Sequence, residues 1–401
     1  MINSLSEEID EIHLIFPHFR SNPKNNIFFT LKKFKRLQSL TLIGCNVDNI
    51  FREISEKTTL VYLDIKLFEL YQSLFMFKQL VNLEHLNITV EHDIVEENFD
   101  TNVLINIFST CKKLKYLDLP FGLYDVTKIP IKHWKNLENL EHLSIYNAMT
   151  DKLQTTITKY CKNLIYLHSN LEPGENIGKL TELKNLECLI LLSSVQPSGD
   201  SIIAISNNCK KLKRLDISSS TFIGSIYGKP LSSPSVFNEL SKLQYLEHLE
   251  LSRIQNLRDN SIIAIAKNCK NLNYLGIGIC PFITETGLDA LTSLKNLHEL
   301  NVSQLYITDN FIIKLKGFKK LYCAGCCKLF DTGIIQLIKN NPDLEHLDIS
   351  WAFGCTTDLV IRADQETKKR TNGIILYIKI CRPDLIEAFK LMNKSQWLVI
   401  E

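Results

Sequence analysis

The sequence has no apolar run approaching the roughly 18 residues of a membrane-spanning helix, so a transmembrane segment is not expected. It also lacks an excess of charge of one sign, because 46 basic and 44 acidic residues leave a net charge of +2. A broad phosphate-binding surface needs a net basic face, so neither a nucleic acid nor a membrane is the expected partner. With 45% apolar residues, the composition is that of an ordinary soluble protein rather than a disordered chain.

A secretory signal and the common catalytic motifs are also missing from the sequence. The opening MINSLSEEIDEI has acids where a signal peptide has basic residues, so we expect a cytoplasmic or nuclear protein with reduced cysteines. G-x-S-x-G, H-E-x-x-H and calcium-loop patterns do not occur. GSIYGKP from Gly224 is too short between its glycines for a phosphate loop, and Pro230 replaces the magnesium-binding Ser or Thr. We expect no catalytic activity and no cofactor.

What the sequence does contain is a repeat. The frame L-x-x-L-x-L occurs in thirteen copies, spaced by 21 to 34 residues. Twelve copies begin at a leucine, and a weaker one, FKKLYC, begins at Phe318. The twelve begin at Leu37, Leu60, Leu83, Leu114, Leu140, Leu164, Leu186, Leu212, Leu246, Leu272, Leu297 and Leu344.

Each copy predicts one strand followed by one helix. The fourth and sixth frame positions are apolar and alternate with polar residues, which indicates a short strand with one buried face. Segments such as DNSIIAIAKNC lie between the strands, and they are apolar at helical spacing behind an Asp or Asn N-cap. Because one strand and one helix bury too little surface alone, the repeats must stack. We therefore predict an α/β solenoid, bent into a horseshoe with a parallel concave sheet and helices on the convex side.

The pattern resembles the cysteine-containing leucine-rich repeats of F-box/leucine-rich-repeat proteins. A Cys stands three residues before the first Leu in several copies, as at Cys111, Cys161, Cys209 and Cys269. A second Cys follows some strands, at Cys45, Cys280 and Cys326. The helix entry I-T-D-x-G-hydrophobic occurs as ITETGL, ITDNFI and FDTGII, starting at Ile283, Ile307 and Phe330. The resemblance covers about residues 37–355 and implies protein recognition, with substrate selection for a cullin-type ubiquitin ligase as the most typical setting.

The segments outside the repeats leave alternatives open. LSEEIDEIHLIF from Leu5 is similar to the opening helix of an F-box, but IFFTLKKFKRL already predicts the helix of the first repeat, which leaves no room for a complete F-box. An F-box remnant, a divergent docking helix and a simple cap all fit residues 1–36, and we favour the cap. Residues 37–355 form the repeats, and residues 356–401 are predicted to be a C-terminal cap. Within that cap, TTDLVIRADQETKKRTNG predicts a loop, NGIILYIKI a strand and RPDLIEAFKLMN a helix.

Two long spacings imply insertions. One lies near residues 91–101 and is acidic, and the other lies near residues 219–236 and is rich in Ser, Pro and Gly. Each is either a tolerated surface loop, which we favour, or a binding loop.

The pattern C-x-x-C-C at Cys323, Cys326 and Cys327 is the part of the sequence that most resembles a metal site. No second C-x-x-C or paired His lies nearby in sequence, and Cys323 occupies a core position of the frame. We expect these thiols to pack as small apolar residues and to bind no metal.

The candidate binding surface is the exposed face of the strands. Tyr and His alternate at the third frame position, and acids recur at the fifth. Such aromatic residues suit a protein interface, and the acids favour a basic partner. Copying of a local repeat consensus by duplication explains the columns equally well. The candidate residues are Tyr62, Asp64, His85, Tyr116, Asp118, His142, Tyr166, Asp216, His248, Glu250, Tyr274, His346 and Asp348.

These observations favour a monomeric, non-catalytic protein-interaction module. Its partners are expected to be proteins, with ubiquitin-ligase subunits among them if the resemblance extends to function. A stand-alone scaffold or regulator of a signalling protein is the alternative.

Overall fold

A computed structural model describes residues 6–15, 30–44, 51–67, 77, 79–90, 102–119, 125–171, 176–193, 197–219, 233–392 and 395–401. The acidic insertion near residues 91–101, the GSIYGKP segment, Cys45 and residues 220–232 of the second insertion lie outside the described residues. The chain divides into two compact units. The first unit is residues 1–172 and 179–186, and the second is residues 173–178 and 187–401.

In the first unit, the described strands follow one another in chain order, and each pairs in parallel with the next. They are β1 (Glu11–Ile15), β2 (Ser39–Ile43), β3 (Tyr62–Leu67), β4 (His85–Val90), β5 (Tyr116–Asp118), β6 (His142–Ala148) and β7 (Tyr166–Leu171). The helices are α1 (Phe51–Ser55), α2 (Asn102–Thr110), α3 (Ile131–Trp134) and α4 (Asp151–Tyr160), with 3-10 turns at Val126–Lys128, Lys135–Leu137 and Gly178–Glu182.

The second unit repeats this arrangement, and its strands also pair in parallel and in chain order. They are β8 (Cys188–Ser193), β9 (Arg214–Asp216), β10 (His248–Glu250), β11 (Tyr274–Gly276), β12 (Glu299–Asn301), β13 (Lys320–Tyr322), β14 (His346–Asp348), β15 (Leu376–Lys379) and β16 (Leu398–Ile400). The helices are α5 (Gly199–Asn208), α6 (Asp259–Asn268), α7 (Glu285–Asp289), α8 (Asp309–Ile312), α9 (Asp331–Asn340), α10 (Thr357–Thr367) and α11 (Pro383–Lys390), with 3-10 turns at Pro234–Lys242 and Ala290–Ser293.

The thirteen copies of the leucine frame supply the thirteen strands β2 to β14. The longer strand β8 pairs with β9 at the same frame positions as the other strands do. In β5, Leu117 is fully buried while Tyr116 and Asp118 on either side of it are half-buried. The register sets Leu117 beside Leu143 of β6, so equal frame positions lie next to each other. The leucine-rich-repeat fold class is therefore confirmed in each unit.

In several copies an asparagine stands just before the frame and ties its repeat to the preceding one. The side-chain amide of Asn82 donates to the carbonyl of Thr58 at 2.8 Å, and Asn271 donates to the carbonyl of Gln244 at 3.3 Å. A main-chain carbonyl at a turn otherwise lacks a partner within its own repeat. The recurring K-N-L of the sequence is therefore explained by a hydrogen bond between neighbouring repeats.

The helix-entry motif of the second unit is explained by a second series of contacts. The carboxylate of Asp309, at the start of α8, accepts hydrogen bonds from the main-chain N–H groups of Phe330 and Gly333, each at 3.0 Å. A Cβ at Gly333 would lie only 2.3 Å from Cγ of Asp309. Gly287 faces Asp259 in the same way, with 2.5 Å to the carboxylate. The glycine of I-T-D-x-G is thus required by the acid of the preceding repeat.

Two expectations about the segments outside the repeats are wrong. A third segment, residues 11–15, was left open between a helix similar to that of an F-box and the favoured cap, and it forms β1 and pairs with β2. Residues 30–36 of the predicted first-repeat helix form turns. The polar segment after residue 355 contains helix α10 instead of a loop. Its buried face includes Asp364, whose carboxylate accepts from the N–H of Ser395 at 2.6 Å, so a hydrogen bond replaces the apolar contact that a pattern would reveal.

The predicted C-terminal strand and helix are confirmed as β15 and α11. The apolar ending QWLVIE supplies β16, which pairs with β15. The division into an N-terminal cap, repeats and a C-terminal cap stays a prediction.

Candidate protein-binding face

The third frame positions of β3 to β7 place five aromatic rings in one continuous stack, which we call the ring stack. Its members are Tyr62, His85, Tyr116, His142 and Tyr166. Successive ring centroids are 4.1, 3.9, 3.8 and 3.9 Å apart, and the interplanar angles lie between 11° and 19°. Both ring faces of the three inner members are covered, so a partner meets ring edges and hydroxyl groups, while the Nε2 atom of His142 is buried.

Alternation of two residue types produces this stack. Parallel pairing puts each third position opposite the next one, and neighbouring strands are about 4.8 Å apart. The planar rings tilt slightly, which brings neighbouring ring centroids closer together than the strands themselves and gives the distance of an offset stack. The sequence predicted the column of residues, and the structure adds the direct ring-to-ring contacts.

Burial keeps the ring stack neutral near pH 7. Burial, together with smaller effects of the neighbouring His85 and His168, lowers the pKa of His142 to about 4. Burial also lowers the pKa of His85, against the attraction of Asp64. The pKa of Tyr116 is raised to about 12, mainly by burial and then by Asp118. The stack therefore presents neutral hydrogen-bonding groups rather than charges.

The acids predicted beside the rings of the first unit are Asp64 and Asp118. Asp64 accepts from the hydroxyl of Tyr62 at 3.4 Å and from the side-chain amide of Asn87 at 3.0 Å. Burial raises the pKa of Asp118, while a hydrogen bond from Ser144 lowers it and the charge of Asp64 raises it. Negative charge therefore accompanies the neutral stack, and at Asp118 that charge is incompletely compensated.

In the second unit, the predicted residues form pairs instead of a continuous stack. His248 stacks on Tyr274 with centroids 3.9 Å apart, and the Tyr274 hydroxyl donates a short hydrogen bond to Glu250. Between this pair and His346, the third positions are Glu299 and Lys320, whose charged groups are 3.4 Å apart. Burial lowers the pKa of His248 to about 4.

The acids of the second unit also hold the turns that follow their strands. Asp216 accepts from the N–H of Ser218 at 3.0 Å, and Asp348 accepts from the N–H of Ser350 at 2.9 Å. Such local capping of a turn is a structural role. It favours the repeat-consensus explanation for these two acids.

The sequence analysis missed Tyr377 of β15. Its ring stacks on His346 with centroids 5.2 Å apart, because the register sets the two residues opposite each other. The segment NGIILYIKI lacks the leucine frame, and only its β-like run indicated a strand.

The buried cysteines pack as small apolar residues, whereas Cys327 and Cys381 are exposed. Cys161 and Cys269 are buried at the C-terminal ends of α4 and α6, where their N–H groups donate to the last turn. Burial raises the pKa of both thiols to about 12. Cys326 is also buried, and its thiol donates to the carbonyl of Val302 at 3.3 Å.

Within the part of the chain that the structure describes, no group of three or more His, Cys, Asp or Glu side chains is placed to hold a metal ion. Cys323 and Cys326 are buried, whereas Cys327 is exposed, so the C-x-x-C-C residues do not face one site. None of the described helices has the length and apolar character that a membrane span requires.

Comparison with known proteins gives a consistent fold. No protein-family model matches the chain. A curated relative, the F-box protein MAX2 homolog A of Petunia hybrida, is 24% identical over 174 residues. That match covers 41% of this chain and only 21% of the relative, so the chain spans about a fifth of the relative's length.

Solved structures with a similar fold include a chain of the yeast Rad7 and Elc1 complex, with a TM-score of 0.53 and 15% identity. That likeness covers 91% of this chain and 80% of the other. A leucine-rich-repeat protein of Leptospira interrogans has a TM-score of 0.45 and 18% identity, covering 84% and 90% of the two chains. The repeats and their parallel strands define a leucine-rich-repeat fold.

Proposed function

We propose that the chain is a non-catalytic protein-interaction module that binds its partner on the exposed strand face of the first unit. The ring stack, with Asp64 and Asp118 beside it, is the observation that carries this proposal. The stack offers a row of ring edges, and its side chains lose little conformational entropy on binding because they already hold one another in place.

The partner is a protein with a basic segment. Burial raises the pKa of Asp118, which means that its charged form is poorly stabilised in the free protein. A Lys or Arg from a partner would stabilise that form, and the neutral rings would exclude water around the pair.

The module selects substrates for a cullin-type ubiquitin ligase. The sequence likeness to an F-box protein supports this role, and the fold is shared with a chain from a complex of two proteins, Rad7 and Elc1. A cytoplasmic or nuclear location and a monomeric state belong to the same proposal. The alternative is a stand-alone scaffold, favoured by the strand β1, which occupies residues of the proposed F-box-like helix.

Affinity capture of the tagged full-length chain from its native cells tests both roles. Removing residues 1–36 is unsuitable, because it would strip β1 from its pairing with β2. The full chain is compared instead with Asp118→Asn, which keeps the side-chain shape, and with Asp151→Asn at the start of α4 as a control.

The ligase role predicts cullin-ligase subunits with all three baits and a second protein that Asp118→Asn alone loses. A partner lost with Asp118→Asn, without any ligase subunit, would establish the scaffold instead. Partners that all three baits retain equally would refute the proposed binding face.

A further inference from the structure

The second unit carries another surface, at the end of its strands where the chain turns toward the next helix. We call this surface the aromatic rim. It comprises the loops that follow β10 to β14, residues 251–258, 277–284, 302–308, 323–330 and 349–356. It lies within the second unit and shares no residue with the ring stack.

Large aromatic side chains are exposed along the rim. Tyr306 is 74% exposed, and the four others are between 51% and 64% exposed. A soluble surface rarely groups such residues without a partner. The other four are Phe282, Phe330, Trp351 and Phe353.

These aromatic residues belong to one continuous surface. Thr308, close to Tyr306, forms a parallel bridge with Lys328 of the next loop. A Cβ at Gly354 would lie 2.8 Å from the ring of Phe330, so that ring packs against the following loop. Trp351 and Phe353 have ring centroids 6.2 Å apart.

The backbone presents Trp351 in an unusual conformation. Its φ is 63°, in the left-handed region that bulky residues avoid. Equivalent turns have φ of 58° at Gln304 and 73° at Gly325, and the N–H of Gln304 donates to the carbonyl of Ala324 at 2.7 Å. The repeat turn therefore imposes this conformation, and at Trp351 it displays a large indole to solvent.

The charged residues of the five rim loops are all basic. They are Arg253, Arg258 and Lys328. The guanidinium of Arg258 lies 3.5 Å from the ring centroid of Phe282, and the ammonium of Lys328 lies 6.0 Å from that of Tyr306. Cations held against rings remain able to pair with carboxylates from outside.

Acids border the rim at both ends of its loops. Glu250 and Asp348, at the ends of β10 and β14, accept from the N–H groups of Ser252 and Ser350 at 2.8 and 2.9 Å. Other acids are at the helix starts just beyond the rim. Asp259 accepts from the N–H and hydroxyl of Thr284, and Glu285 accepts from the N–H of Thr308 at 2.6 Å. Their oxygens are engaged in holding the next repeat. They also border the rim with negative charge, which disfavours a nucleic acid because its phosphates follow at every nucleotide, whereas a peptide can place its carboxylates opposite the basic residues alone.

We propose that the aromatic rim binds an extended acidic segment of a partner protein. Apolar side chains of that segment pack on Tyr306, Phe330 and Trp351. Its carboxylates pair with Arg258 and Lys328. The surface thus has the opposite charge preference to the ring stack, so a single partner segment does not satisfy both.

Selection of peptides from a random twelve-residue phage library on the full-length chain tests this proposal. We expect enrichment of Asp or Glu together with aromatic or aliphatic residues. Selected peptides, made synthetically and labelled, should bind at least tenfold more weakly to Tyr306→Ser/Trp351→Ser. Tyr245→Ser is the matched control, because Tyr245 is 62% exposed in the same unit but precedes its strand.

Charge reversal gives a second, independent measurement that leaves the aromatic residues of the rim in place. Arg258→Glu/Lys328→Glu should weaken binding of the acidic peptides and select basic ones. Lys295→Glu, at an exposed lysine that precedes β12 and lies outside the rim, should do neither. Thermal unfolding by circular dichroism verifies that each variant is folded. The proposal is overturned if the library yields no peptide whose binding depends on the rim. Rim-dependent peptides without acids, or tighter rim-dependent binding of a labelled oligothymidine, would overturn it as well.

Discussion

The exposed strand faces of the two units are built on the same leucine frame and yet differ in how their side chains interact. In the first unit, Tyr and His alternate through β3 to β7 and stack without interruption. In the second unit, Glu299 and Lys320 interrupt the column, and directional hydrogen bonds such as that from Tyr322 to Glu299 at 3.1 Å replace stacking. The frame fixes where side chains lie, and the residues placed there decide which force joins the repeats.

The strands of the two units also differ in length. β3, β4 and β7 have six residues each, whereas β9 to β14 have three. In the second unit, a left-handed residue follows three positions after each strand from β10 to β14, at Arg253, Ile279, Gln304, Gly325 and Trp351. Regular turns thus accompany the short strands of the second unit, whereas the ring stack crosses both long strands and the three-residue β5.

Breaking the regular turn-to-helix contacts of the second unit should have the largest effect. Gly333→Ala would force a Cβ against the Asp309 carboxylate, so we expect the free energy of unfolding to fall by roughly 3 kcal/mol. Gly373→Ala is the control, because its φ of 75° is unfavourable but nothing described lies within 4 Å of the added atom. Urea unfolding measures both, and an equal or smaller loss at Gly333 would contradict the contact.

Removing the central ring of the first unit should cost somewhat less. Tyr116→Ala deletes stacking on His85 and on His142, and we expect a loss of about 2 kcal/mol from two ring contacts. Tyr116→Phe keeps both contacts and should be nearly neutral in the same urea experiment. A loss as large for Phe as for Ala would mean that the hydroxyl, and not the stack, stabilises this face.

In the second unit, the tyrosine hydroxyl should contribute to the free energy of unfolding. Tyr274→Phe removes the hydrogen bond to Glu250, and a hydrogen bond to a charged group contributes on the order of 1.5 kcal/mol. Urea unfolding of Tyr274→Phe beside Tyr116→Phe compares the two faces directly. Equal stability of the two variants would remove the distinction between stacking and hydrogen bonding.

Acid should weaken the ring stack. The folded-state pKa of His142 is about 4, below its ordinary value of 6.5, so the unfolded chain takes up the proton first as pH falls. The stabilising effect is complete above pH 6.5 and declines between about 6.5 and 4. His142→Phe should therefore flatten the decline of Tm over this range, whereas the same change at the exposed His346 should not. Parallel curves for the two variants would contradict the burial of His142.

The smallest expected effect is the order in which the cysteines react with an alkylating reagent, which involves no change in stability. Iodoacetamide should modify the exposed Cys327 and Cys381 of the folded protein well before Cys161 or Cys269, because burial raises the pKa of these two thiols to about 12. Mass spectrometry of peptides after timed quenching gives the order. Early modification of Cys161 would show that the first unit opens locally more readily than the second.

Much of the fold was predictable because the leucine frame is a local signal. The strands β2 to β14 follow from it, and so does the partial exposure of Tyr116 beside the buried Leu117. The strand β1 was missed because Glu11-Ile12-His13-Leu14 has no frame and its pairing with β2 depends on distant residues. Helix α10 was missed because its buried Asp364 and Thr367 are satisfied by hydrogen bonds that hydrophobic periodicity does not register.

The candidate face was predictable as columns of residues but not as contacts. Alternation of Tyr and His is visible in the sequence, whereas stacking requires the parallel register that brings Tyr62 opposite His85. The rim aromatics gave no signal, because Phe282 and Tyr306 stand beside the buried Ile283 and Ile307 and look like further core residues.

The acid at each helix start of the second unit has a consequence for how that unit folds. Asp259, Asp309 and Asp331 each hold the entry of the following helix, so a repeat that forms prepares the first turn of the next one. Formation of the first turn is the unfavourable step of helix formation. Here the acid of the neighbouring repeat favours that turn by accepting hydrogen bonds at the helix entry. We therefore expect folding to propagate from one repeat to the next. A substitution of Asp309 should stop this propagation at that repeat rather than destabilise every repeat equally.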